Sequence, residues 1–255
     1  MNEPILSIHG LTKRFLGLTA VDNVTFDVKR NEIFALIGPN GAGKTTLFNC
    51  VTGLFAPTLG RVVFDGSEIT GTRPHRVAKL GIARTFQNIR LFDYMTVIEN
   101  VLVGEHARMH AKLWDSVFKT PQERREEAHV RERARELLKF VGLEKHAESY
   151  ARNLPYGQQR RLEIARALAT DPKLLLLDEP AAGFTPQEKA ELMQLVQRLR
   201  EQGLTIFMIE HDMKIVMGVS ERIVVLDHGE KIAEGTPEVV RRDQRVIEAY
   251  LGKSA

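Results

Sequence analysis

The chain has a single cysteine, Cys50, among 255 residues, so no internal disulfide can form. A reducing compartment is the expected setting, and Cys50 itself suits a small buried apolar position. No apolar run approaches the ~18–20 residues that cross a bilayer, and no signal peptide opens the chain. If the protein works at a membrane, another component must hold it there. A large charge excess is also missing: 36 basic against 33 acidic residues leave +3. That balance argues against nucleic acid as a bulk partner. There is no internal repeat and no low-complexity segment. What is present is an ordinary soluble composition, 43% hydrophobic and 27% charged, long enough for one large domain or a domain with a subdomain.

Against that plain background one stretch stands out: Gly38, Pro39, Asn40, Gly41, Ala42, Gly43, Lys44, Thr45, Thr46. It fits the phosphate-binding loop pattern G-x-x-x-x-G-K-[ST]. The apolar run Ile33 to Ile37 before it reads as a buried strand, and Leu47 to Val51 after it as a helix. Glycines there let backbone N–H groups curl round nucleotide phosphates, and the helix start adds partial positive charge. Lys44 is placed to reach the β/γ-phosphates and the Thr45 hydroxyl to meet Mg²⁺.

The rest of the chain reads in order as alternating strands and helices. Residues 5–9 and 24–28 look like strands, the second with the alternation of a sheet covered on one face. Between them Phe15 suits either a purine-stacking role or the core. Arg61 to Gly66 reads as strand and turn, Arg73 to Leu80 as a short helix, and Gly81 to Gln87 as a strand ending in Gln87. Thr96 with Glu99 forms a capping box for a helix to Val103. The stretch Ala107 to Thr120 carries the only Trp, Trp114, and weak periodicity. Gln122 to Val141 is a charged helix whose signs nearly cancel, a solvated face rather than a nucleic-acid patch, and Gly142 stops it. Residues 88–170 thus read as a helical subdomain inserted into an α/β core.

Gln158 to Thr170 is a further helix. After Lys173, Leu174 to Leu177 is a continuous apolar run, as expected of a central parallel strand covered on both faces, and it ends in Asp178 and Glu179. Thr185, Pro186 and Glu188 carry every signal of a helix start, and that helix stops at Gly203. Leu204 to Ile209 is the next buried strand, ending at Glu210 and His211. A short helix, strands over 222–226 and 231–234, and one helical tail from Thr236 complete the chain. Such alternation implies an open, mostly parallel sheet, which binds ligands at the carboxyl ends of its strands. Gly38, Asp178 and His211 all fall there. Beside a phosphate loop, Asp178 suits a Mg²⁺ carboxylate and Glu179 a general base holding an attacking water. His211, one strand end away, suits a hydrogen bond to the γ-phosphate.

The ordered set GPNGAGKTT, LPYGQQRRLEIARAL, LLLLDEP and His211 resembles the ATP-binding cassette (ABC) ATPases over essentially the whole chain. The resemblance implies one ABC ATPase domain over 1–255. A P-loop core and an antiparallel β subdomain would occupy 1–87 and 171–255, and a helical subdomain about 88–170. It implies ATP and Mg²⁺ as cofactors and a head-to-tail dimer in which each signature segment completes the partner's site. Here that segment is Leu154, Pro155, Tyr156, Gly157, Gln158. Gln87 matches a glutamine that contacts Mg²⁺ and relays to a membrane domain. Phe15 matches an adenine-stacking aromatic, with Val21 as a further nucleotide contact. Metal contacts would come from Thr45, Gln87 and Asp178, and catalysis from Glu179 and His211.

Two departures from the family pattern matter. Pro155 stands where a serine usually meets the γ-phosphate, and Tyr156 where glycine is usual, so a differently made contact is expected through Gly157, Gln158 and the helix start. Thr185 stands where the family usually has Asp or Asn. Together with RTFQNIRLF, DEPAAGFTP, IEHDMKIVM and the ending EAYLG, these residues resemble the ATPases of branched-chain amino acid importers. That resemblance implies two permease subunits, a second ATPase subunit (the same or a related chain) and a periplasmic binding protein, with no nucleic acid. The chain would lie peripherally on the cytoplasmic face of the inner membrane and be soluble when expressed alone. Other readings are an ABC ATPase for urea, amides or lipid export, or a non-transport ABC protein. The phosphate loop is then half a site, needing a second subunit to close it.

Overall fold

A computed structural model describes residues 3–106 and 121–251. The stretch 107–120 with Trp114 lies outside the described residues. The chain divides into two compact units, one formed by Met1–Gln87 with Lys173–Ala255 and the other by Asn88–Pro172.

The first unit holds two sheets. Strands β1 (Pro4–Phe15), β2 (Leu18–Lys29), β4 (Leu59–Phe64) and β5 (Ser67–Glu68) make an antiparallel sheet in the order β2-β1-β4-β5. The second sheet contains β3 (Ile33–Ile37), β6 (Ile82–Arg84), β7 (Leu174–Asp178), β8 (Thr205–Ile209), β9 (Arg222–Asp227) and β10 (Glu230–Gly235). Its order is β10-β9-β3-β8-β7-β6, parallel throughout except for the β9/β10 hairpin. Every residue of β3, β7 and β8 is buried, which is why their sequences are continuous apolar runs without alternation. By contrast β2 alternates buried and exposed along its second half. Phe26 of β2 stacks on Phe34 of β3 at 5.2 Å, and Phe207 of β8 meets both edge-on, so one aromatic cluster joins the two sheets.

Register sets the functional edge. Leu36 pairs with Ile209, and Ile209 pairs with Asp178, so β3, β8 and β7 end level with one another. The loops that leave them begin at Gly38, Glu210 and Glu179. Helices α1 (Lys44–Val51), α2 (Pro74–Leu80), α6 (Pro186–Glu201), α7 (Met213–Val219), α8 (Pro237–Arg242) and α9 (Gln244–Leu251) complete this unit. At the start of α6 the Glu188 N–H donates to the Thr185 hydroxyl at 3.3 Å, and the Thr185 N–H donates to the Glu188 carboxylate at 2.9 Å.

Several boundaries differ from the sequence expectation. Strands β1 and β2 run well beyond 5–9 and 24–28, because their outer ends continue as a hairpin past the core, where no apolar alternation marks them. Helix α1 begins at Lys44 rather than Leu47. Strand β6 stops at Arg84, and Gln87 lies in the bend beyond it. The single helical tail is two helices, since extended backbone at Asp243 ends α8 and its carboxylate accepts the Arg245 N–H at 2.9 Å.

The second unit is helical: α3 (Val97–His106), α4 (Pro121–Phe140) and α5 (Tyr156–Ala169). The Thr96 N–H donates to Glu99 Oε2 at 2.7 Å and the Glu99 N–H to Thr96 Oγ1 at 3.3 Å, the reciprocal capping box of α3. Gly142, at φ +76, follows the end of α4. Within the unit the fully buried Arg160 pairs with Glu163 at 2.7 Å.

Candidate functional site

The loop from Gly38 to Thr46 is built against its neighbours as much as toward a ligand. A Cβ at Gly38 would stand 2.1 Å from the Leu226 carbonyl oxygen, and one at Gly43 would stand 2.3 Å from that of Ala20. Both positions therefore exclude side chains through backbone contact behind the loop. In front lies a cleft of about 660 Å³, lined by Asn40 to Thr46 together with Gln87, Glu179, His228 and the β2 residues Leu18, Thr19 and Ala20. Lys44 donates to the carbonyls of Gly38 at 2.7 Å and Pro39 at 2.9 Å. Burial pushes its ammonium below the usual lysine range, while the charges of Glu179 and Asp178 oppose that shift.

The two adjacent carboxylates have different surroundings. Asp178 ends β7, is nearly buried, and pairs through Oδ2 with Arg84 Nη2 at 2.7 Å. Glu179 has φ +46, a left-handed backbone that is uncommon outside glycine, and its N–H donates to the Ile209 carbonyl at 2.9 Å. That turn aims it apart from Asp178 and into the cleft wall, where Gln87 Nε2 donates to Glu179 Oε2 at 2.8 Å. His211 Nδ1 stands 3.7 Å from the same Oε2, with its side chain over half exposed. These distances bring Gln87, Glu179 and His211 together beside the loop.

Val21 and Phe15 are not among the residues that line the cleft. Val21 is fully buried, and β2 offers Thr19 and Ala20 to the cleft in its place. Phe15 is 37% exposed near the β1/β2 hairpin tip, with Phe55 edge-on at 5.3 Å and Lys13 Nζ 4.8 Å from its ring. In the second unit, Tyr156, Gly157 and Gln158 form the first turn of α5. Pro155 precedes them and no side chain caps the helix. Tyr156 is exposed, Gly157 is buried, and the buried Gln158 Oε1 has no hydrogen-bond partner among the described residues.

Residues 21–182 match the family model described as "ABC transporter". The chain belongs to the ABC transporter family. As an ABC cassette it binds nucleotide and hydrolyses ATP. Residues 230–255 match a second model, described as "Branched-chain amino acid ATP-binding cassette transporter". The chain is similar to the high-affinity branched-chain amino acid transport ATP-binding proteins LivG of Escherichia coli K12 and BraF of Pseudomonas aeruginosa. Each is 49% identical over 255 residues, with 100% of both chains covered. Among solved structures it resembles an ABC transporter cassette in its ADP conformation, at TM-score 0.85 and 34% identity, covering 98% of this chain and 100% of that one. It also resembles a dimeric cassette in a post-hydrolysis state bound to ADP and Pi, at TM-score 0.76 and 30% identity, covering 91% and 98%.

Three features of this ABC cassette escape a motif reading. Arg84 reaches Asp178 from β6, a contact between residues 94 positions apart. Glu210 is fully buried, yet its carboxylate accepts the N–H groups of Ala181 at 3.0 Å, His211 at 3.0 Å and Asp212 at 3.2 Å. It ties the turn after Glu179 to the segment carrying His211. The third is Tyr250 of α9, which shares a hydrogen bond with the Gly38 backbone while burial raises its phenol pKa. His228, in the turn between β9 and β10, also lines the cleft, and no motif marks it.

Proposed function

We propose that this cassette powers an importer of branched-chain amino acids. The observation that carries the cargo assignment is the match of residues 230–255 to the branched-chain model, with LivG and BraF similar from end to end. Within this reading the chain is one ABC ATPase domain, peripheral on the cytoplasmic face of the inner membrane. Among the described residues no helix is long and apolar enough to cross a membrane, which agrees with a role beside separate permease subunits. A second ATPase subunit and a periplasmic binding protein complete the assembly.

The site residues take these roles. The loop from Gly38 to Thr46 holds the phosphates, and Phe15 stacks on the base. Glu179 acts as general base, steadied by Gln87, while His211 faces the γ-phosphate. The oxygen donors of Thr45, Gln87 and Asp178 suit a hard cation, and the Arg84 pair engages Asp178 through Oδ2. Those three residues would hold Mg²⁺, which supplies charge neutralisation on the phosphates. Tyr156, Gly157 and Gln158 of one subunit meet the nucleotide of the other. The uncapped start of α5 and the unpartnered Gln158 Oε1 support a partner there.

The test is reconstitution with candidate permease subunits and a binding protein from the same organism. ATP turnover in vesicles is measured with binding protein loaded with leucine, isoleucine, valine, urea or a short amide. Stimulation of several-fold by the branched-chain amino acids alone is expected. Stimulation by urea or amide without a leucine response would overturn the cargo, and co-purification with DNA or ribosomes instead of permeases would overturn the transport role.

A further inference from the structure

The guanidinium of Arg84 is held from several sides. Nη2 donates to Asp178 Oδ2 at 2.7 Å, and Nη1 donates to Asn49 Oδ1 at 2.7 Å and Thr52 Oγ1 at 3.2 Å. Its Cζ lies 5.6 Å from the Phe48 ring and 5.2 Å from the Phe86 ring. Arg84 and Asp178 side chains are only 7% and 5% exposed. Asn49, Thr52 and Phe48 lie on or directly after α1, the helix that leaves the phosphate loop. One cation therefore bolts the carboxylate at the end of β7 to that helix.

A buried carboxylate needs a partner to stay ionised and in place. A lone aspartate facing nucleotide phosphates would also repel them. Arginine suits the task because its planar fork bonds several acceptors at fixed angles, which a lysine cannot reproduce.

We propose that Arg84 is a positioning residue for the metal carboxylate. It fixes Asp178 relative to the phosphate loop and offsets its charge before metal arrives. This rests on the reading of Asp178 as a Mg²⁺ contact. The pair leaves the site able to take nucleotide without metal at a modest loss. Without Arg84, the uncompensated carboxylate makes nucleotide binding far more dependent on Mg²⁺.

The experiment titrates a fluorescent ADP analogue into the whole chain with Mg²⁺ and again with EDTA, for wild type, R84Q and R84K. The readout is the ratio of the metal-free Kd to the Mg²⁺ Kd, which a merely structural role would not move. R84Q is expected to widen the ratio about fivefold or more, mainly by weakening metal-free binding. R84K, which keeps a charge but not the fork, should fall between, and it carries the test if R84Q does not fold. The double variant R84Q/D178N, with neither buried charge, should recover melting temperature lost in R84Q. An unchanged ratio in the folded variants, or equal weakening of both Kd values, overturns the role of Arg84. A wild-type ratio near one overturns the metal reading of Asp178 itself, and the inference with it.

Discussion

Gln87 and Glu179 both line the cleft, with the Gln87 amide donating to Glu179 Oε2 at 2.8 Å. The two residues come from the bend after β6 and the turn after β7. A donor on that oxygen fixes the orientation of the carboxylate. In the proposed general-base role, the rest of the group is left to take a proton from an attacking water.

Glu179→Gln should therefore bind ATP nearly as well as wild type while losing turnover by about 10²–10⁴-fold. The neutral amide keeps the shape and still accepts from Gln87, but it cannot take up the proton. Phosphate release measures turnover, and size exclusion with ATP should show a stabilised dimer. Near-normal steady-state hydrolysis would remove Glu179 as the base.

Lys44 sits in the loop as a buried ammonium whose pKa is lowered, chiefly by desolvation. The unfolded chain then binds this proton more readily than the folded one. Stability from this residue must rise with pH between the depressed value and the ordinary 10.5, and its cost is fully present below that window. Lys44→Met should leave the nucleotide-free protein at least as stable at pH 7 and flatten its alkaline stability profile. It should also abolish the stabilisation by ADP, about 2.7 kcal/mol at a hundred times Kd in wild type. Thermal melts across pH with and without nucleotide check all three. A Lys44→Met protein that melts lower yet still responds to ADP contradicts the assignment.

Asp212 caps α7 directly after His211. Its Oδ1 accepts the Lys214 N–H at 2.9 Å, and its Oδ2 pairs with Lys189 at 2.6 Å. Lys189 is the main reason its pKa lies below the ordinary 3.8. For a depressed carboxylate the stabilisation is present above the unfolded value and lost as pH falls through the folded one. Asp212→Ala should cost about 1 kcal/mol at pH 7, the usual worth of a cap. The gap to wild type should close as acid titration proceeds below 3.8. Denaturant melts at pH 7 and in acid provide the comparison, and a gap that stays constant would remove the carboxylate charge from the account.

Much of this was legible because the signals are local. The apolar runs of β3, β7 and β8 mark strands covered on both faces, and the boxes at Thr96/Glu99 and Thr185/Glu188 mark helix starts within four residues. The P-loop carries its own pattern. What stayed hidden depends on the tertiary fold. Arg84 looks like any strand-end cation until β6 pairs with β7 and sets it beside Asp178. Glu210 reads as one more polar residue before a histidine until three backbone N–H groups converge on it. The positive φ of Glu179 has no sequence signature at a non-glycine position.

Phe15 tests how the nucleotide base is held. Its ring is partly exposed, with Phe55 packed edge-on and Lys13 Nζ over one ring face; Lys13 is itself fixed by donating to the Ala56 carbonyl at 2.9 Å. A restrained, accessible ring near the hairpin that lines the cleft is arranged to stack on a flat partner at little entropic cost. Phe15→Ala should weaken ADP by about 1 kcal/mol, roughly fivefold in Kd, at the lower end of base–aromatic stacking energies. Tripolyphosphate, which has no base, should bind both proteins alike, whereas Phe15→Trp should retain affinity and report binding by a fluorescence change. Equal weakening of ADP and tripolyphosphate would place Phe15 in the support of the phosphate loop, because a residue that only stacks on the base cannot sense a ligand that lacks one.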